Sequence, residues 1–302
     1  MATSASRSPL WEETFTWWGT PPGTTEQEKC DNAVRAVRKA IDASTALTGR
    51  TIMVSPQGSY HNRTNVRADS DVDVRVVCQD SIFFDLPGGK TPADFGITTP
   101  ANYPFSQFKH DVGDALISYF GRNFVTPGNK AFHIHENSYR VDADVVPCFQ
   151  YQRYQENGLR PVGTAFLAGP NARIVNWPSQ NYENGVAKNE ATGRRFKAVV
   201  RILKRLRNAM SENNVPAAKP IPSFLIECLV WNVPNIAFGH DTYTADVRWA
   251  LAHLFNNTIK SEDCSEWGEI NELKYLFRGG QPWTLAQAHA FVSAAWDYVG
   301  FN

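Results

Sequence analysis

Apolar positions change their period along this chain, and the changes mark its elements. From residue 25 to about 46, Ala33, Val34, Val37 and Ile41 recur at helical spacing, with Glu28, Lys29, Arg35, Arg38 and Lys39 around them. That pattern predicts an amphipathic helix, with Gly49 standing where a C-terminal stop is expected. Short β-like runs follow at 51–54, 72–78, 133–135 and 141–149, separated by a predicted helix at 107–120 and a Pro/Gly/Thr-rich loop at 86–104. Strands interleaved with helices predict a mixed-sheet lobe in the first half.

Near Arg173 the strand signals fade. Helical patterns take over at 192–210, 223–231, 244–256 and 284–298. The expectation is an α/β (α+β) protein of two closely packed lobes. Residues 1–172 form a sheet lobe that includes the first helix, 173–302 form a helical lobe, and small-ligand chemistry lies in a cleft between them. No internal repeat and no long linker appears. Trp17 and Trp18 read as packing anchors.

Composition narrows the field only a little. Of 302 residues 42% are hydrophobic and 20% charged, ample for a folded core. Thirty basic and thirty acidic residues cancel, which disfavours a protein held to nucleic acid by a global basic field and leaves room for a local basic stripe. The N-terminus lacks an apolar leader, and no run of about 18 apolar residues occurs. The five cysteines are scattered, and three have apolar neighbours, as buried reduced thiols do. A cytoplasmic protein with no membrane partner is expected.

The chemistry-bearing signal is Gly58-Ser59 followed by Asp71-Val72-Asp73-Val74. Residues i and i+2 of a strand share a face, so Asp71 and Asp73 present adjacent carboxylates. Such a pair repels itself unless a cation neutralises it, and hard oxygen ligands suit Mg²⁺. The Gly-Ser turn lets the backbone approach a phosphate. The bland alternative is an exposed strand of alternating charge. A second strand carries Asp142 and Asp144 at i and i+2. Asp144, leading into Val145-Val146, is the candidate third acid, able to complete a two-metal site and to take a proton from an attacking hydroxyl. Asp142 is the runner-up, or a solvent-facing partner of Arg140.

Gly58-Ser59, Asp71-Val72-Asp73 and Asp144-Val145-Val146-Pro147 resemble the hallmark of the polymerase-β-like nucleotidyltransferases. With Gln57-Gly58-Ser59-Tyr60, Ser70-Asp71-Val72-Asp73, Asn176-Trp177-Pro178 and Pro222-Ser223-Phe224-Leu225-Ile226-Glu227, the chain is similar more narrowly to the E clade of the bacterial CD-NTases. These are relatives of cyclic GMP-AMP synthase and oligoadenylate synthetase. The resemblance spans about 25 to 256 and is thinner over 61–69 and the last forty or so residues. It implies that Asp71, Asp73 and Asp144 hold two Mg²⁺ ions, with Mn²⁺ as a substitute, and that Gly58 and Ser59 hold the donor triphosphate. It further implies a cyclic di- or oligonucleotide second messenger made from nucleoside triphosphates, and a downstream effector in anti-phage defence.

The predicted helix at 192–210 carries seven of the thirty basic residues between Arg194 and Arg207, with no acid among them. Arg194, Lys197, Arg201, Lys204 and Arg205 fall within a sector of about 100°, opposite Phe196, Val199, Val200, Leu203 and Leu206. A solvated face is one reading and an anionic partner the other. By resemblance Arg201 and Lys204, and also Lys197, grip the triphosphate. Ser223 is either a helix N-cap or a hydroxyl near phosphate, and Phe224 is placed to stack a base. Glu227 reads as a packing residue. Asn176 either caps the turn before Pro178 or offers its carboxamide to a base. Its donor and acceptor suit uracil, though also adenine, and in the clade an Asn here goes with pyrimidine use. A uridine-containing product is therefore expected, cyclic UMP–AMP or a dipyrimidine. His133 and His135 share a strand face, but no third nitrogen or carboxylate shows at ligand spacing, so no metal site is read there. Template-independent RNA tailing and a non-catalytic nucleotide-binding scaffold are the alternatives, and no stable nucleic-acid partner is expected.

Overall fold

The computed structural model describes residues 8–66, 71–169 and 172–301. In chain order these form α1 (Ser8–Gly19), α2 (Thr24–Asp42), β1 (Ile52–Gln57), α3 (Gly58–Asn62), β2 (Val72–Asp85), α4 (Phe105–Phe120), β3 (Val125–Pro127), β4 (Phe132–Ile134), β5 (Ala143–Arg153), β6 (Val162–Leu167) and β7 (Arg173–Asn176). The helices α5 (Pro178–Ala191), α6 (Arg195–Glu212), α7 (Ser223–Trp231), α8 (Tyr243–Thr258) and α9 (Leu285–Val299) complete the order. None of the described helices is long and apolar enough to cross a membrane. All five cysteines are buried free thiols.

The chain divides into two compact units. The sheet unit comprises residues 23–61 and 70–179. Its strands run β1-β2-β5-β4-β3, and β6 and β7 extend from the far half of β5. The long β2 and β5 pair in parallel at the centre, while the remaining pairs are antiparallel. Val72, Val74, Val76, Val145 and Phe149 are buried under α2, which contributes Ala33, Val37 and Ile41, and α4, which contributes Phe108, Val112 and Leu116. β-branched residues at alternate positions make β2 a strand and give it one buried face. The other face carries the acids.

The helical unit comprises residues 8–22, 62–66 and 180–301 of the described chain. Its centre is α6, whose Phe196, Val199, Val200, Leu203 and Leu206 pack with α7, α8 and α9. The expected boundary at 172 is corrected at both ends of the sheet unit. Arg173–Asn176 pairs with β6 as the last strand, so the chain leaves the sheet after 179. The helix expected with the sheet, α2, does belong to the sheet unit, whereas α1, which the sequence pattern did not mark as a helix, buries Phe15 in the helical core. Trp11, Phe15 and Trp18 recur at i, i+4 and i+7, an apolar stripe that needs helical partners. Trp18 does anchor, as expected. Trp17 is exposed and lies 5.0 Å from the Arg205 guanidinium.

Glu12 ties α1 to the start of α8. Its carboxylate accepts the backbone N–H of Tyr243 at 2.9 Å and of Thr244 at 2.7 Å, and the Thr244 hydroxyl at 2.6 Å. Burial raises the Glu12 carboxyl, but the hydrogen bonds from Thr244 and Tyr243 outweigh it and hold the group below its ordinary value near 4.5. A depressed carboxyl stabilises the fold above its unfolded pKa, and that contribution fades as pH falls through the folded value. Glu12→Gln is therefore expected to lower Tm near neutral pH, with the gap from wild type closing in acid below about pH 4. Thermal melts across pH check this, and a gap that does not depend on pH would contradict it.

Candidate active site

Strand register assembles the acidic site. Gln57 on β1 lies opposite Asp73 on β2, Asp73 opposite Asp144 on β5, Asp144 opposite His133 on β4, and His133 opposite Thr126 on β3. One level across five strands thus holds two carboxylates and an imidazole on one face of the sheet. Two residues away along the strands, Asp71, Asp142 and His135 fall on the same face. Asp71 is exposed, while Asp73, Asp142 and Asp144 are half-buried.

Neighbours hold these groups in place. The His133 imidazole meets an Asp144 oxygen through Nδ1 at 2.9 Å, and its Nε2 is 3.6 Å from Asp142 Oδ1. The Asp144 hydrogen bond raises the His133 pKa against burial, with further help from the charges of Asp144, Asp142 and Asp71. Asp142 accepts the Glu136 N–H at 2.5 Å and so turns toward the acid cluster. Arg140 is turned elsewhere, donating to the His135 carbonyl and lying over the Phe120 ring.

The turn after β1 presses on the same point. Gly58 has φ +66°, and a Cβ built on it would collide with the Asp73 carboxylate. Only glycine satisfies both the left-handed backbone and the close approach. Ser59 follows in α3, and Tyr60 fixes that turn by donating to Asp31 Oδ1 on α2 at 2.8 Å, with Gln27 also hydrogen bonded to its hydroxyl. Desolvation and the bond to Asp31 raise the Tyr60 pKa, keeping its proton in place. Tyr60 and His133 escaped the sequence reading as supports of the site. Tyr60 sat inside the Gly-Ser motif, and His133 alternated with hydrophobics on a strand, but only the register names their partners.

At the end of β7 the backbone is anchored by Trp177, whose ring lies edge-on to Tyr151 at 5.3 Å and under Arg153 at 4.8 Å. Asn176 is half-buried, and among the described residues no hydrogen bond occupies its carboxamide. The turn-capping alternative therefore lacks the bond that would define it.

In the helical unit the basic stripe departs from expectation. It is not an outward face, because Lys197, Arg201, Lys204 and Arg205 are all buried. Arg201 donates to the Gly19 carbonyl at 2.8 Å and the Arg63 carbonyl at 2.6 Å, and burial lowers its pKa to about 10. Lys204, 1% exposed, pairs with Glu227 at 2.6 Å and donates to the Thr64 carbonyl at 3.0 Å. Buried charges need such partners, and Arg201 and Lys204 find theirs within the helical unit. Expected as phosphate grips, Arg201 and Lys204 have their donors directed to these internal acceptors. Lys197 differs from these two. Its ammonium lies 5.6 Å from the Tyr182 ring and, among the described residues, meets no carboxylate. Burial, then Arg63, lowers its pKa, so an added anion would stabilise it. Ser223 opens α7 after the N-cap Pro222, so it is not the cap, and its hydroxyl accepts from Arg207 at 3.0 Å. Phe224 packs against Trp283 at 6.2 Å. Glu227 is the packing residue expected.

A cyclic dipyrimidine nucleotide synthase, CdnE, from Cecembia lonarensis is 43% identical over 291 residues, covering 96% of this chain and 98% of that protein. The chain belongs to the CD-NTase family. Residues 183–300 match the model of the cGAS/DncV-like nucleotidyltransferase C-terminal helical domain. A second cyclic dipyrimidine nucleotide synthase, from Legionella pneumophila, is 45% identical and covers 97% of this chain and 99% of that protein. The solved Rhodothermus marinus CdnE c-UMP-AMP synthase with Apcpp and Upnpp superposes with a TM-score of 0.85 at 30% identity, covering 96% and 97% of the two chains. This CD-NTase is E-clade-like and is a nucleotidyltransferase, an enzyme class whose members here generally use divalent metal ions.

Two variants separate support from contact. Gly58→Ala is expected to cut turnover at least about 100-fold, because the new methyl displaces the Asp73 carboxylate by contact and strains the turn; wild-type kinetics would contradict it. Lys204→Ala strands Glu227 in the core and is expected to cost about 3–5 kcal/mol in denaturant unfolding. A loss below about 1 kcal/mol would show that the pair is not structural.

Proposed function

We propose that this CD-NTase joins two nucleoside triphosphates, at least one of them a pyrimidine, into a cyclic dinucleotide. The observation that carries the reading is the Asp73–Asp144 pair set side by side by strand register, with the Gly58 turn against it. This donor set, hard carboxylate oxygens on one face, fits divalent cations, and Asp71, Asp73 and Asp144 would hold two Mg²⁺ or Mn²⁺ ions. Such ions supply neutralisation of the triphosphate and acidify a bound hydroxyl.

The chain's own residues do the rest. Gly58 and Ser59 give backbone and hydroxyl donors to the donor triphosphate, and Lys197 supplies a cation that lacks a carboxylate of its own. The acceptor ribose hydroxyl attacks the α-phosphorus. One P–O bond forms as the bond to pyrophosphate breaks, and Asp144 takes the hydroxyl proton. His133 orients Asp144 by donating from Nδ1. A second transfer, with the linear intermediate's own triphosphate as donor, closes the ring. Asn176 reads the base by pairing with N3–H and O4 of uracil. Ser223 and Phe224 are assigned to the donor nucleotide, Phe224 by stacking on its base. The family relationship supports a signalling role for the product, read by a separate effector in bacterial anti-phage defence. RNA tailing and a scaffold role are set aside, since the relatives are named as synthases and the three acids are intact.

Incubation with the four α-labelled triphosphates and Mg²⁺ tests the reading. A small, phosphatase-resistant product that takes label from UTP or CTP is expected, and Asp73→Asn should leave less than about a hundredth of it. A lengthened RNA or no turnover contradicts the synthase, while a purine-only product contradicts the role of Asn176. Asn176→Ser should shift use from UTP toward ATP or GTP. Lys197→Ala should raise the triphosphate KM by a factor equivalent to about 1–3 kcal/mol; an unchanged KM removes Lys197 from the site.

A further inference from the structure

Beside the all-oxygen row the same sheet face carries a group of different chemistry. A ring nitrogen of His133, a ring nitrogen of His135 and a carboxylate oxygen of Asp142 all lie within 4.8 Å of one another. The sequence offered no third ligand, because Asp142 reaches the pair only after the 136–142 connection folds β5 back against β4. His133 Nε2 and Asp142 Oδ1 are 3.6 Å apart, close to the separation of about 3.4 Å between neighbouring ligands on a tetrahedral ion with bonds of about 2.0–2.1 Å.

A second observation is independent of those distances. Each of the three groups already has a hydrogen-bond partner of the kind that orients a metal ligand. His133 is held through Nδ1 by the Asp144 carboxylate at 2.9 Å, and His135 through Nε2 by the Thr126 hydroxyl at 2.9 Å. Asp142 is held by the Glu136 N–H. Imidazoles fixed on one nitrogen by a carboxylate or hydroxyl are the arrangement that orients and strengthens metal-binding histidines. The side chains of His133 and Asp142 are about one-third exposed, at 33% and 30%, so an ion has a way in.

We infer that His133, His135 and Asp142 form a binding site for a transition-metal ion of the zinc class, separate from the Asp71–Asp73–Asp144 centre. Two imidazoles and one carboxylate select Zn²⁺ or Co²⁺ over Mg²⁺, which prefers oxygen ligands throughout. The remaining position falls to water. The site stands whether or not the proposed reaction does. If Asp144 serves that reaction, an ion on His133 also fixes the imidazole that orients it, so the zinc-class ion is placed to modulate turnover.

The test is a Co²⁺ and a Zn²⁺ titration of the full chain at about pH 8 in excess Mg²⁺, where imidazoles are neutral ligands. Visible Co²⁺ absorption and calorimetry are the readouts. One equivalent is expected to bind, with the absorption of a tetrahedral or five-coordinate ion and displacement by Zn²⁺. His135→Ala should abolish the signal. Thr126→Val, which leaves every ligand in place, should weaken binding about 10–100-fold. Asp73→Asn should keep it. The five buried thiols are out of reach of the added ion. No binding in excess Mg²⁺, equal binding by His135→Ala and Thr126→Val, or loss of binding in Asp73→Asn would each overturn the assignment, the last by moving the ion to the acid row.

Discussion

Parallel pairing of β2 with β5 sets Asp73 against Asp144, and most of what this sheet does follows from that forced neighbourhood. Two carboxylates about 5 Å apart at an effective dielectric of about 20 repel by roughly 3 kcal/mol. The strands cannot slip to relieve it, because a one-residue shift would turn Val72, Val74 and Val76 out of the core under α2 and α4. Hydrophobic burial on one face thus holds an electrostatic conflict on the other. The conflict is eased in part by His133, whose pKa it raises, and the divalent cations proposed for this face would relieve it further.

The helical unit meets the opposite sign with a different solution. Seven basic residues in fourteen positions look in the sequence like a surface aimed at an anion. In the structure α6 is buried on nearly every side, and carbonyls of Gly19, Arg63 and Thr64 together with Glu227 take up Arg201 and Lys204. Helical periodicity gives the angle of a residue around its axis but not what stands at that angle. The three carbonyls come from segments more than a hundred residues away in sequence and Glu227 from the next helix, α7, so no local pattern could announce them. Lys197, in the same helix, forms no ion pair among the described residues.

Legibility followed the range of the interactions. Apolar period located α2, α4, α6, α7, α8 and α9 and the central strands. Several elements escaped: α5, whose polar sequence around Gly185 has little apolar face, α1, whose stripe is dominated by aromatics, and the strands β3, β6 and β7. The three acids and the Gly-Ser turn stand out in the sequence because the chemistry proposed for them requires particular residue types at short spacing. Tyr60, His133, and Asp142 as a neighbour of both histidines were not, since each acquires its role only through register or chain reversal. Asn176 was visible as a motif residue, while its anchoring by Trp177 against Tyr151 and Arg153 required the fold.

Register, rather than any single side chain, is what would build the proposed metal centre on β2 and β5. This is tested most directly by anomalous diffraction from crystals grown with Mn²⁺ and a non-hydrolysable nucleoside triphosphate. Manganese is predicted within about 2.0–2.3 Å of carboxylate oxygens of both Asp73 and Asp144, with the triphosphate against the Gly58-Ser59 turn. Ordered manganese on the triphosphate that touches neither aspartate would contradict the account.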